Sequence, residues 1–147
     1  MSDFKKVTDT VSVSPQISKA DIDAAADAGF TLIINNRPDG EERSQPANAD
    51  LAAYAAEKGL KWASIPVVGG QLTFESIEMM SMALKDADGP VLAFCRSGTR
   101  SCTLWSLAQA LTGAMDTKDI LDHAAKAGYD VSGMAPTLEH LKQLHHG

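Results

Sequence analysis

Pro90-Val91-Leu92-Ala93-Phe94-Cys95-Arg96-Ser97-Gly98-Thr99-Arg100-Ser101-Cys102-Thr103-Leu104-Trp105 is the stretch from which the fold can be read. Val91 to Phe94 is a short apolar run behind a Gly89-Pro90 break, the pattern of a strand buried on both faces. Residues 101–110 carry apolar side chains at helical spacing and predict a helix. Only a few residues, with one glycine and two arginines, separate the two. A strand turning so tightly into a helix points its loop amides, and the free N–H groups of the helix's first turn, into one small cup. Cys95 is expected at the rim of that cup, open to water.

Helix N-termini and nearby arginines favour the ionised form of a thiol, which is the nucleophilic form. A cysteine ending a buried strand is, taken alone, more often a small inert hydrophobe. The surrounding residues reverse that reading. Gly98 frees the loop from Cβ clashes, and neither Arg96 nor Arg100 is needed to pack a core. The catalytic reading requires a thiol that ionises readily and reaches water.

The rest of the composition narrows the partners. The chain has 147 residues, a length that fits one domain, with 44% hydrophobic and 22% charged residues. Its net charge is −6. A cationic cup on an acidic chain suits a small anionic substrate and argues against nucleic acid. No apolar run approaches the roughly 20 residues of a membrane helix. Met1-Ser2-Asp3-Phe4-Lys5-Lys6 lacks the apolar core of a signal peptide, so a cytoplasmic protein is expected. Cys95 and Cys102 do not make a disulfide framework. Cys102 is read as packing under the helix, with a resolving thiol for Cys95 as the alternative. His123, His140, His145 and His146 lack metal-ligand spacing, and neither metal nor cofactor is expected. His145-His146 reads as a solvated helix end. Trp62, Trp105 and the methionines at 79, 80 and 82 read as core.

Working outward, residues 4–13 predict a short edge hairpin or strand pair. Ser18 to Asp21 resembles a capping box opening a helix to residue 28, closed by Gly29. Residues 31–35 form a second buried strand, followed by a long polar loop from Asn36 to Pro46. A helix over 49–58 and a strand over 60–65 come next. A glycine-containing loop, 66–72, leads to a helix capped by Thr73. Further helices are expected from 101 to 113, from about 117 to 127 and from Pro136 to 146. Alternating strands and helices predict a central, mostly parallel sheet with helices on both faces. The loops starting near Arg37, around Gly69-Gly70 and at Cys95 then share one edge of the sheet, where ligands bind in such folds.

Residues 91–101 resemble the active loop of rhodanese-type sulfurtransferases, with its Cys-Arg-x-Gly-x-Arg core. The chain as a whole resembles the bacterial β-lactamase-hydrolase-like, or phosphatase-like, domain family. The segments Ile34-Asn35-Asn36-Arg37-Pro38-Asp39-Gly40-Glu41, Ile65-Pro66-Val67 and Gly128-Tyr129-Asp130 carry that likeness. The resemblance implies a dual-specificity-phosphatase-like fold. It also implies a persulfide dioxygenase or another enzyme of sulfur metabolism as partner.

Between sulfur transfer and phosphoester hydrolysis, three features of the loop favour transfer. Four residues, not five, separate Cys95 from Arg100. Phe94 stands where phosphatases carry histidine. The loop Pro66–Leu72 holds no acid to protonate a leaving alcohol. The expected enzyme is therefore a sulfurtransferase carrying a Cys95 persulfide, fed by thiosulfate or an organic persulfide. Cys95 and Arg100 would be catalytic, with Arg96, Ser97, Gly98, Thr99, Ser101 and Arg37 binding substrate. The alternative is a phosphatase acting through a Cys95 phosphoenzyme, with Asp39, Glu41 or Glu42, from another loop, as general acid. A lesser alternative is a thiol redox sensor that pairs Cys95 with Cys102.

Overall fold

The structure, a computed structural model, describes residues 3–68 and 71–146, with side chains as far as residue 144. The expected turn at Gly69-Gly70 and the His145-His146 side chains lie outside the described residues.

Five strands form one sheet: β1 (Lys5–Lys6), β2 (Val11–Ser14), β3 (Leu32–Asn35), β4 (Lys61–Ser64) and β5 (Val91–Phe94). Their order is β1-β2-β5-β3-β4, and only the β1–β2 pair is antiparallel. β5 lies at the centre. Val91 faces Val11 on one side and Leu32 on the other, and Phe94 faces Ser14 and Asn35. The apolar run 91–94 is thus fully buried, as a strand with parallel neighbours on both sides must be. The N-terminal stretch contributes more than an edge hairpin, because β2 pairs with the central strand.

Among the described residues six α-helices flank the sheet: α1 (Lys19–Asp27), α2 (Asn48–Glu57), α3 (Phe74–Asp86), α4 (Thr99–Thr112), α5 (Thr117–Lys126) and α6 (Ala135–His146). The pleat sends alternate side chains of one strand to opposite layers. Leu92 and Phe94 join Ile33, Ile22 and Leu51 beneath α1 and α2. Val91 and Ala93 join Ile34, Trp105, Leu107 and Leu138 beneath α3 to α6. α4 is the axis of this second layer and buries eight of its residues, Trp105 among them.

The caps follow the sequence closely. Ser18 and Asp21 bond each other's backbone N–H groups in a capping box, and Thr73 does the same with Ser76. Two expectations fail. Met80 is buried, but Met79 and Met82 are exposed, because the core-facing stripe of α3 is narrower than its run of methionines. α4 starts at Thr99 rather than 101, since Gly98 at φ +95° is already its N-cap. Trp62 is only partly buried, its ring packed edge-on to Phe94 at 5.8 Å.

Ile33 has no exposed surface at the heart of the α1/α2 layer. Ile33→Ala should cost about 2–5 kcal/mol. The measurement is a urea titration, with a lower midpoint and an unchanged slope expected.

Candidate active site

The loop from Cys95 to Gly98 joins β5 to α4. Cys95 ends the strand, and its own N–H donates to the Ser14 carbonyl at 3.3 Å. Gly98 then reverses the chain in the left-handed region, a conformation open to glycine at no steric cost. The reversal turns the Gly98 N–H back onto Cys95 Sγ at 3.1 Å. The thiol therefore lies on the floor of the cup. It has no exposed surface, contrary to the rim position expected from sequence. The cause is the loop's path: its backbone wraps around the strand end and covers it.

Arg100, in the first turn of α4, meets Glu41 end-on. Nη1 donates to Oε2 and Nη2 to Oε1, both at 2.8 Å, and Nη1 also donates to the Val67 carbonyl at 2.8 Å. Three of the five donors of the guanidinium are committed in this way. The Nε–H and the second Nη2–H remain, a fork along one edge. Arg100 is held more firmly protonated than usual, first by Glu41, and also by attraction to the Cys95 sulfur. The guanidinium and that sulfur thus belong to one site.

Arg37 is 2% exposed and does not line the cup. Its Nε donates to Glu41 Oε1 at 2.8 Å, Nη1 to Gln16 Oε1 at 3.0 Å and Nη2 to Glu42 Oε1 at 2.9 Å. Glu42 also pairs with the exposed Arg96 at 2.9 Å. The five side chains alternate in sign: Arg100, Glu41, Arg37, Glu42, Arg96. The hydrogen bond from Arg100, helped by Arg37, holds the Glu41 carboxyl down at about 2. An ionised carboxylate has no proton to donate, so this arrangement gives Glu41 nothing to do as a general acid. Asp39 Oδ1 accepts the Asn48 N–H at 2.7 Å, at the start of α2, and is committed there.

The other residues picked out in sequence divide between rim and interior. Ser97 and Thr99 are exposed and bond each other's hydroxyls at 3.1 Å. Ser101 is buried and points away, its Oγ donating to Asn36 Oδ1 at 2.7 Å. Asn36 in turn donates to the Ile65 carbonyl at 2.9 Å and so ties three loops together. Cys102 is buried behind the loop, its thiol pushed up to about 12 by burial and then by the charge of Cys95. Both cysteines are free.

Sequence reasoning missed Gln16; it named Asn36 and Tyr129 only as carriers of the family likeness and Glu42 only as a candidate acid, and gave none of the three a place in these contacts. Polar residues in polar loops carry no periodic signal, and only the return of distant strand ends to one edge brings them together. Among the described residues no group of three or more His, Cys, Asp or Glu side chains could hold a metal ion. No described helix is long and apolar enough to cross a membrane.

The model of the family described as β-lactamase hydrolase-like protein, phosphatase-like domain, matches residues 3–112. A β-lactamase hydrolase-like protein from Agrobacterium fabrum is 35% identical over 134 residues, which are 91% of this chain and 31% of that protein. The chain thus spans about a third of the length of the curated relatives it matches. The crystal structure of a provisionally assigned phosphatase from Neisseria meningitidis is 31% identical, with a TM-score of 0.83 over 96% of this chain and 99% of that one. Kinase-associated phosphatase, solved with its catalytic-site cysteine replaced by serine, is 12% identical with a TM-score of 0.75, over 100% of this chain and 96% of that one. That last likeness is one of fold.

These findings overturn the sulfurtransferase expectation. The fold is phosphatase-like, and the alternative reading fits it better than the main one. The four-residue spacing misled because loop length was taken as a marker of chemistry. Four residues, with Gly98 in the left-handed region, are enough to bring Arg100 within reach of Cys95. The chain belongs to the family of β-lactamase hydrolase-like protein, phosphatase-like domains.

Proposed function

We propose that this domain hydrolyses phosphomonoesters through a phosphocysteine at Cys95. The observation that carries the reading is the pairing of two donor groups around one sulfur. The Gly98 N–H donates to Sγ, and the Arg100 guanidinium interacts with the same sulfur.

Cys95 Sγ attacks phosphorus, and the bond from phosphorus to the ester oxygen breaks. The phosphoryl oxygens take the two free donors of Arg100 in bidentate fashion, and loop amides take the rest. Water then attacks the phosphocysteine, the S–P bond breaks, and inorganic phosphate leaves with the thiolate restored. Glu41 is a positioning residue here. It turns the guanidinium so that one edge is spent on protein and the other is left for substrate. Arg37 and Glu42 hold Glu41 in turn, and Arg96 presents positive charge at the entrance.

The proton for the leaving group shapes the substrate class. Pro66–Leu72 carries no carboxylate, Glu41 is ionised, and Asp39 is bonded at the start of α2. Aryl esters, whose phenolate leaves without full protonation, suit the site better than alkyl esters. A thiol with no exposed surface also requires the groups over it to move before substrate enters.

Three measurements test this reading. The chain should turn over p-nitrophenyl phosphate faster than an alkyl phosphate, and Cys95→Ser should lower kcat by more than about 10³-fold. No turnover of either ester by the unmodified chain would refute hydrolysis. Inorganic phosphate should slow alkylation of Cys95 by iodoacetamide, as read by mass spectrometry.

Stability should carry the signature of Glu41. Its folded value of about 2 lies below its ordinary 4.5, so folding favours the ionised form. The stabilisation is complete above pH 4.5 and is lost as pH falls toward 2. Glu41→Gln should flatten that part of the curve of urea midpoint against pH. An identical acid limb in both proteins would show the ion pair to be unimportant.

A further inference from the structure

Gly128-Tyr129-Asp130 lies beyond the family-matched residues 3–112 and far from β5 in the chain. α5 ends there in a Schellman arrangement. The Gly128 N–H donates to the Ala125 carbonyl at 2.9 Å, and the Tyr129 N–H to Ala124 at 2.9 Å, with Gly128 at φ +98°. The motif fixes where Tyr129 leaves the helix. Its ring packs on the α3–α6 core layer, and its hydroxyl donates to the Ser97 carbonyl at 3.1 Å.

That carbonyl and the Gly98 N–H are the two ends of one planar peptide group. One end accepts from Tyr129, and the other donates to Cys95 Sγ at 3.1 Å. The fit is close on the same side. A Cβ added at Gly98 would overlap the Tyr129 hydroxyl and stand 2.8 Å from its Cζ. Pulling on the carbonyl polarises the peptide and strengthens its N–H as a donor. It also fixes the tilt of the peptide plane, and with it the direction of the N–H.

We infer that Tyr129 is a positioning residue that acts through the Ser97–Gly98 peptide on the Cys95 sulfur. The inference rests on the reading of Cys95 as the nucleophile. It makes the turn after α5 part of the machinery of the β5–α4 loop. Tyr129 touches neither the sulfur nor substrate. Its effect is on how much of the thiol is present as thiolate and on how the donor faces it. Burial above all pushes the phenol up to about 12, so the hydroxyl keeps the proton it donates.

Tyr129→Phe in the full chain is the test, because it removes the hydroxyl and keeps the ring. The pH–rate profile of Cys95 alkylation by iodoacetamide should move to higher pH. The rate near neutrality should fall about threefold, and the two proteins should converge at high pH. The Gly98 amide proton resonance should move upfield, a readout that needs no reaction at sulfur. A residue that only packed would lower the urea midpoint and leave both signals where they were. An unmoved profile with an unmoved Gly98 resonance overturns the inference, whatever happens to stability. Turnover of p-nitrophenyl phosphate by the unmodified chain decides the hydrolysis reading separately. Turnover with both signals unmoved sinks only the role of Tyr129. A moved profile or resonance without turnover sinks only hydrolysis.

Discussion

A guanidinium with almost no exposed surface must have its charge met and its donors filled, or the fold pays a desolvation cost of several kcal/mol. Arg37 meets that demand with Glu41, Glu42 and Gln16. Its partners come from the loops after β2 and β3, and Glu41 reaches on to Arg100 at the start of α4. The polar ends of three strands are held together by one buried cation. The cup around Cys95 is shaped by what this cation requires of its neighbours. Charges that look like a solvated loop in sequence, from Arg37 to Glu42, are the frame of the site.

The division of labour between the two sides of Arg100 follows from the same frame. One carboxylate takes two donors end-on, a carbonyl takes a third, and the edge beside Nε stays open. A lysine in that position would offer a point charge without an edge to divide. On the proposed reading the arginine holds the protein with one side and takes the substrate anion with the other, so structural and binding duties do not compete for the same N–H groups.

Much of this was legible in the residues. The buried run 91–94, the alternation of strands and helices, and the capping signals at Ser18 and Thr73 gave the parallel sheet and its two helical layers. Those features are local or periodic, and short-range physics sets them. The loop that follows β5 was legible as a cup because a glycine between arginines has few other uses. The partners within the cup were less so. Arg37 read as a ligand for substrate and lies buried, since a single sequence does not say which way a loop arginine turns. Glu41 read as an acid and is bonded to Arg100, 59 residues away, which holds its carboxyl low. Cys95 read as exposed and lies on the floor, since the path of four loop residues decides it. The sulfurtransferase expectation rested on a spacing, and a spacing alone does not decide which chemistry a loop of this kind serves.

The strand order has a consequence for how the chain acquires its shape. β1 with β2, and β3 with β4, are pairs of strands close in sequence, whereas β5 must enter between the two pairs. Val11 and its partner Val91 are 80 residues apart. Neither pair touches the other directly, and β5 joins both. Closure across so long a tether is slow. The strand that completes the sheet also carries Cys95 at its end, with Arg100 just beyond, so the sheet and the cup are completed together.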